Sequence, residues 1–329
     1  MVRFTVLASG SKGNSAVISG GRTRILVDAG LSCRELFRRM KLAGEDPQTL
    51  DAIIITHEHQ DHVNALSVTA RKLGIPVYFT EATHRAWMRW IAPRRQMTYA
   101  QWLEQCRKQA AERQAEAASP PSGADPADPV GQAEPQAAET AASEPAPTSD
   151  PEPAPKVKED PTWLPAVEYF QAGQPFEIGD VQVSPFTIPH DAADPVGFVF
   201  RAEGVRMGLA TDLGYIPPNV KAQLTGVHLL LLESNHDLEM LRDGPYPWSV
   251  KQRVLSRVGH LSNEAAARFL QDDYDGQAAF VILAHLSENN NLPELARVAA
   301  ERALNERASL LANRLLLADQ REPLSSINF

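Results

Sequence analysis

The stretch "IIITHEHQDHVNAL", residues 53–66, decides how the rest of the chain is read. Ile53, Ile54 and Ile55 lead into His57, His59, Asp61 and His62, so four metal-ligating residue types fall within six positions. The apolar run reads as a buried strand. Imidazoles at i and i+2 leaving its end both face the mouth of the fold, and Asp61 and His62 then open a helix. Such a pattern supplies two neighbouring ligand sets of imidazole nitrogen and carboxylate oxygen, which suit zinc or another borderline divalent ion. Chance histidines in a polar loop are the bland alternative, and this density directly after an apolar strand weighs against it.

Working outward, strand and helix signals alternate. "RFTVLAS", "SAVISG" and "TRILVDAG" read as strands, the last two joined through "GGR". "SCRELFRRMKLAG" reads as a helix with Ser32 as N-cap and Gly44 as stop. "DAIIIT" is a strand; Asp61, Val63, Leu66, Ala70 and Leu73 share one helical face, ended by Gly74 and Pro76. "PVYFT" is a strand, and 81–91 and 98–113 are helical. "FEIGDVQVSPFTIP", "GFVFRAEGVRMGLATD", "VHLLLLES" and "AAFVILAH" are strand-like. Helices are expected at about 248–258, 262–270 and 292–311. Early and late β runs interleaved with helices imply packed sheets covered by helices.

The 329 residues, 43% hydrophobic and 22% charged, suit one large core or two modest domains. Net charge is −9, but 112–160 holds eleven acidic and three basic residues, a net of −8. Only −1 is left for the remainder, so a polyanionic substrate is not excluded there. The stretch from about 115 to 160 is mostly Ala, Pro, Glu, Asp and Ser without apolar periodicity. It is expected to be a disordered insertion within one domain spanning 1–329, since chemistry-bearing residues stand on both sides of it. Its acidity offers a protein partner a docking point. Cys33 and Cys106 are too few for a disulfide framework and read as reduced thiols. No secretory apolar region opens the chain and nothing approaches a membrane span, so the cytoplasm is the expected compartment.

"THEHQDH" resembles the T-H-x-H-x-D-H signature of the metallo-β-lactamase fold. "LVDAG" resembles its first motif, whose aspartate, here Asp28, supports the metal loop. "PHDAADPVGF", "LATDLG" and "LAHLSENNN" follow in the family's order. The resemblance implies an αββα sandwich and two divalent ions, zinc or manganese. It would place His57, His59 and His190 on one ion and Asp61, His62 and His285 on the other, with Asp212 shared. "ESNHD" and "GHLSNE" resemble motifs of RNase Z-type nucleases, which puts forward His260 as general acid oriented by Glu233, with Asp61 as a further catalytic residue. "ASGSKGNS", "PHDAADP", "YPWS" and "AHLSENNN" together resemble the YycJ/WalJ group of bacterial 5′→3′ DNA exonucleases, associated with mismatch repair. The insertion is not part of that group's usual pattern.

The residues themselves are compatible with nucleic acid. "GSKGN" could offer backbone N–H groups and Lys12 to a phosphate, with Asn14 beside it. His236 and Lys251 are further candidate substrate contacts. "HRAWMRWIAPRR" mixes Arg85, Arg89, Arg94 and Arg95 with Trp87 and Trp90, and reads equally as a helix with Trp inward and Arg outward. The favoured function is a metal-dependent phosphodiesterase, a DNA exonuclease. A small-molecule or cyclic phosphodiesterase, and a nucleic-acid-binding scaffold with little catalysis, are the alternatives.

Overall fold

The computed structural model describes residues 1–92, 103–104, 107–108, 160–306 and 314–329. By contacts the chain divides into residues 1–92 with 160–329, and residues 93–159. In the second unit only 103–104 and 107–108 are described, both helical. The expected disorder at about 115–160 and most of the helix expected at 98–113 therefore lie outside the described residues, as does Cys106.

The strands of the first unit are β1 (Arg3–Ala8), β2 (Ser15–Gly20), β3 (Thr23–Val27), β4 (Ala52–Ile54), β5 (Val77–Phe79), β6 (Val167–Tyr169) and β7 (Phe176–Ile178). They continue with β8 (Val181–Thr187), β9 (Val196–Ala202), β10 (Val205–Ala210), β11 (Leu229–Glu233), β12 (Phe280–Ala284), β13 (Arg314–Leu317) and β14 (Ile327–Asn328). They form two seven-stranded sheets, β14-β1-β2-β3-β4-β5-β6 and β13-β12-β11-β10-β9-β8-β7. Each is antiparallel at one side and parallel at the other, over β3–β6 and β10–β13.

Alternation along the strands explains the layering. Phe4, Ile18, Ile25 and Ile54 pack against Phe198, Phe200, Leu229 and Ile282, which joins the two sheets face to face. The intervening Val17, Leu26 and Ile53 turn outward onto Leu36 and Met40 of α1 (Cys33–Leu42), Leu66 and Ala70 of α3 (Leu66–Leu73) and Trp87 of α4 (Glu81–Ile91). On the second sheet Leu230, Leu232, Val281 and Leu283 turn outward. They meet α5 (Pro218–Leu224), α8 (Asn263–Asp272) and α9 (Pro293–Glu306). A strand buried on both faces is apolar throughout, which is why "IIIT", "LLLL" and "FVILA" read as continuous runs. The result is the expected αββα sandwich.

Two expectations change. The single helix expected from Asp61 is broken into α2 (Gln60–Val63) and α3. Ala29 N–H donates to the His62 carbonyl (2.7 Å) and its carbonyl accepts from Ala65 N–H (2.9 Å), so the β3 exit draws the backbone out of helical pairing there. The helix expected at 248–258 stops early, as α7 (Trp248–Val254), because His260 N–H bonds to the Val254 carbonyl. β6, β13, β14, α5 and α6 (Leu238–Asp243) were not anticipated. In α4 Trp87 is fully buried while Trp90 is exposed, and Arg85 pairs with Glu81. Among the described residues no helix is long and apolar enough to cross a membrane.

Candidate metal centre

The candidate residues collect at the carboxyl ends of strands from both sheets, where such folds place ligands. Asp28 follows β3; Thr56 and His57 follow β4; His59 caps α2, which carries Asp61 and His62. From the second sheet, His190 follows β8, Asp212 follows β10, Glu233 ends β11 and His285 follows β12. His260 arrives on the turn between α7 and α8. His57, His62, His190, Asp212, Glu233 and His285 are buried, and His59, Asp61 and His260 are partly exposed.

Side-chain ligand atoms fall into overlapping groups within 4.8 Å of one another: His57, His59 and His190; His57, His62 and Asp212; Asp61, His62 and His285; and Asp212, Glu233, His260 and His285. The first and third are the two sets expected by resemblance, and Asp212 stands between them. Its Oδ2 lies 3.4 Å from His62 Nε2, and its Oδ1 lies 3.2 Å from His285 Nδ1.

The imidazoles of His57, His62, His190, His260 and His285 are each oriented by a partner at Nδ1. His62 Nδ1 meets Asp28 Oδ2 at 2.8 Å, and Asp28 also accepts from Thr56 N–H and Oγ1, both at 2.9 Å. His57 Nδ1 lies 3.0 Å from Thr56 Oγ1, and His190 Nδ1 lies 3.2 Å from the Gly259 carbonyl. Glu233 Oε1 accepts from both His285 Nδ1 and His260 Nδ1 at 2.8 Å. Its Oε2 accepts from the backbone N–H of Leu213 (2.9 Å) and Leu261 (3.1 Å). Ring nitrogens held this way turn their opposite nitrogens toward a common centre, as metal-binding histidines require. Among them His57 Nε2, His285 Nε2 and Asp212 Oδ2 are buried without a hydrogen-bond partner. Orphaned buried polar atoms are rare, and a bound cation would satisfy all three. The donor set thus fits borderline divalent ions.

The electrostatics divide the pocket. Burial pushes His57 well below the usual imidazole value, helped by His62 and His190, and burial likewise lowers His190. Both offer the neutral ring that metal binding needs. Burial opposes charge on His62, yet Asp212, Asp28 and Asp61 raise it to about 9. His285 is raised well above the usual value against burial by Asp212, Asp61 and Glu233. Burial would raise Asp61, Asp212 and Glu233, but the facing histidines hold all three below the ordinary carboxylate range.

Backbone strain concentrates here too. Asp28, Asp212 and His285 have φ of 59°, 60° and 57°, three of the four described non-glycine residues with positive φ. Such conformations cost about 1–3 kcal/mol each and persist where surrounding contacts enforce them. Gly30 serves the same loop: a Cβ there would lie 1.6 Å from the Asp61 carbonyl oxygen.

The cleft over this cluster is lined by His59, Asp61, Asp212, His260 and His285, together with Tyr246, Val250, Arg253, Ser11, Ser287 and Asn290. The expected substrate contacts divide. Lys12 stands by the cleft's end in an ion pair with Glu288. Asn14 is instead buried, with Nδ2 donating to Asp61 Oδ2 (3.1 Å) and facing His62 Nε2 (3.0 Å), so it braces the cluster. Lys251 points away: its Nζ donates to the Arg242 carbonyl at 2.6 Å, and Arg253 lines the cleft in its stead. His236 is buried off the cleft with both ring nitrogens unpartnered, and burial lowers it to about 4. Nor does "GSKGN" present its N–H groups outward. Gly10, Lys12, Gly13 and Asn14 donate to Asn14 Oδ1, Gln320 Oε1, Gly10 O and Asp61 O. Thr56 and Ser9, which accepts from His285 N–H at 2.8 Å, were not anticipated, because a hydroxyl next to a strand end carries no distinctive sequence signal.

Residues 8–250 match the family profile of the metallo-beta-lactamase superfamily. The exodeoxyribonuclease YycJ of Bacillus anthracis is 31% identical over 306 residues, covering 93% of this chain and 90% of that protein. The exodeoxyribonuclease WalJ of Streptococcus pneumoniae serotype 2 (strain D39 / NCTC 7466) is 29% identical over 296 residues, covering 90% and 86%. Among solved structures, the metallo-beta-lactamase fold protein YhfI from Bacillus subtilis aligns over 98% of both chains with a TM-score of 0.59 at 14% identity, which is a likeness of fold. A profile match over most of the chain, near-full-length relatives and a ligand cluster at the sandwich's strand ends agree: this chain belongs to the metallo-beta-lactamase superfamily and is a metal-dependent hydrolase.

Proposed function

We propose that this chain is a two-metal 5′→3′ exonuclease acting on DNA, with a role in DNA repair. In this reading His57, His59 and His190 hold one divalent ion, Asp61, His62 and His285 hold a second, and Asp212 is shared; zinc and manganese both accept such nitrogen and oxygen donors. Bound divalent ions supply Lewis acidity that lowers the pKa of a water and offsets charge on phosphate oxygens. The chain's own residues supply the rest. Asp61 lines the cleft as a carboxylate that the facing His62 and His285 hold below its ordinary range against burial, so it stays ionised, able to hold an ion and to orient the attacking water. Glu233 grips His260 Nδ1, which makes Nε2 the nitrogen available to the cleft for protonating the leaving oxygen.

That last contact is the observation that carries the reading, because a plain metal-binding scaffold has no use for an oriented proton donor beside its ligands. The names of the curated relatives point to DNA, and the polarity and the repair role rest on the motif resemblance to the YycJ/WalJ group. The test pairs metal analysis with two substrates, a 5′-phosphorylated duplex and a bis-aryl phosphate. The wild type is expected to carry both ions, shorten the duplex from its 5′ ends and hydrolyse the small diester. Asp212→Ala is expected to stay folded, lose activity and lose at least part of its metal. Full turnover with both ions retained in Asp212→Ala would refute the assignment. Activity on the aryl ester alone would indicate a small-molecule phosphodiesterase, and DNA binding without either reaction a scaffold.

A further inference from the structure

Three segments far apart in sequence meet at one end of the cleft: the loop at 10–14, the loop at 286–291 and the stretch at 319–321. Ser11 and Ser287 line the cleft, and Ser287 also lines an adjoining hollow with Ser9, Glu288, Gln320 and Arg321, so the hollow continues the cleft. Glu288, which lines this hollow, gathers two cations. Glu288 Oε2 pairs with Lys12 Nζ, and its Oε1 lies 3.4 Å from Arg321 Nη2. Gln320 fixes the backbone beneath them: its Oε1 accepts from Lys12 N–H at 2.8 Å and its Nε2 donates to the Gly13 carbonyl at 3.1 Å.

The base is thus firm while the charged tips are loose. The Lys12 and Arg321 side chains are 69% and 81% exposed, against 27% for Glu288. Ion pairs between long exposed side chains contribute little net stability, so another anion can replace the carboxylate at small cost. The anion that fits is given by the cleft it adjoins. A phosphodiester centred over Asp61, Asp212 and His285 would carry its next backbone phosphates out of the cleft, and Ser11 and Ser287, which line it, stand next in sequence to Lys12 and Glu288.

We propose that Lys12 and Arg321 form a clamp for a backbone phosphate of the nucleic-acid strand beyond the scissile bond, and that Glu288 occupies this clamp until the strand displaces it. The proposal rests on the nuclease reading above.

The test measures KM for a single-stranded oligonucleotide over a range of salt, using the metal-loaded full chain. A Lys12→Ala/Arg321→Ala double variant is expected to raise KM and to flatten the slope of log KM against log salt by roughly 1, the loss of one phosphate contact. Glu288→Gln is expected to lower KM by up to roughly fivefold, because it removes a competing anion. If Glu288 only braces the two loops, Glu288→Gln will instead lower the melting temperature and leave KM unchanged or raised, which overturns the proposal. Should Glu288→Gln fold poorly, the double variant still decides, since its side chains are largely exposed. An unchanged salt slope in a chain that degrades the oligonucleotide refutes the clamp alone. A wild type that hydrolyses the aryl diester but neither the oligonucleotide nor the 5′-phosphorylated duplex refutes the nuclease reading, and the clamp with it.

Discussion

At the residue scale, Glu233 holds two imidazoles for different ends. It orients His285 within the ligand cluster and His260 at the cleft, each through Nδ1. General acid catalysis contributes roughly 10²–10⁴-fold, so His260→Ala should lower kcat by that range on DNA while metal content stays normal. The loss should shrink on a nitrophenyl diester, whose leaving group departs without protonation. Equal losses on both substrates, with a lowered melting temperature, would show that His260 only shapes the turn before α8. That helix has its own cap, since Ser262 Oγ accepts from Ala265 N–H at 3.2 Å, so the two roles are separable.

At the element scale, α4 shows how a helix facing a sheet sets a pH limit on stability. Its Thr80 cap bonds Thr83 N–H, and its buried face presents Trp87 and His84 to Phe79. His84 Nδ1 lies 2.8 Å from Tyr169 Oη on the edge strand β6. Burial lowers this imidazole below its ordinary value of 6.5, so the folded state prefers the neutral ring. The unfolded chain therefore binds more protons on the acid side, and the contribution is whole above 6.5 and declines as pH falls toward the lower folded value. Melting temperature measured from pH 8 to pH 5 should fall less steeply for His84→Phe than for the wild type. Parallel curves would show that His84 takes no part in the acid sensitivity.

At the scale of the whole molecule, β5 and β6 are paired neighbours although the stretch 93–159 separates α4 from β6 in sequence. The composition of 115–160 predicts no part in the chemistry. Replacing it with a short Gly/Ser linker should leave hydrolysis of a small phosphodiester within about twofold of wild type, in the range of ordinary surface changes. A collapse of that rate would show that the segment serves the site. A loss confined to long DNA or to cells would support recruitment of a partner.

The residue pattern was enough for packed sheets and for the cluster at 57–62, and the family resemblance added the αββα order and His190, Asp212 and His285. Strand alternation is local, and residues leaving a strand at i and i+2 point the same way whatever surrounds them. The Ser32 cap was equally legible, because a cap is a bond across three residues. Tertiary structure decided what depends on which loops meet. Asn14 and Lys251 looked alike as polar candidates, yet one is drawn onto Asp61 and the other onto the Arg242 carbonyl, by partners 47 and nine residues away. Arg321 gains a place in the hollow beside the cleft only because the stretch 318–321 returns beside loop 10–14. β6, β13 and β14 have two to four residues each, too few to show a period, and neighbouring strands supply their hydrogen bonds. The break between α2 and α3 has the same origin. No residue in 60–73 forbids a continuous helix, and it is the Ala29 backbone, delivered by another strand, that competes for the hydrogen bonds.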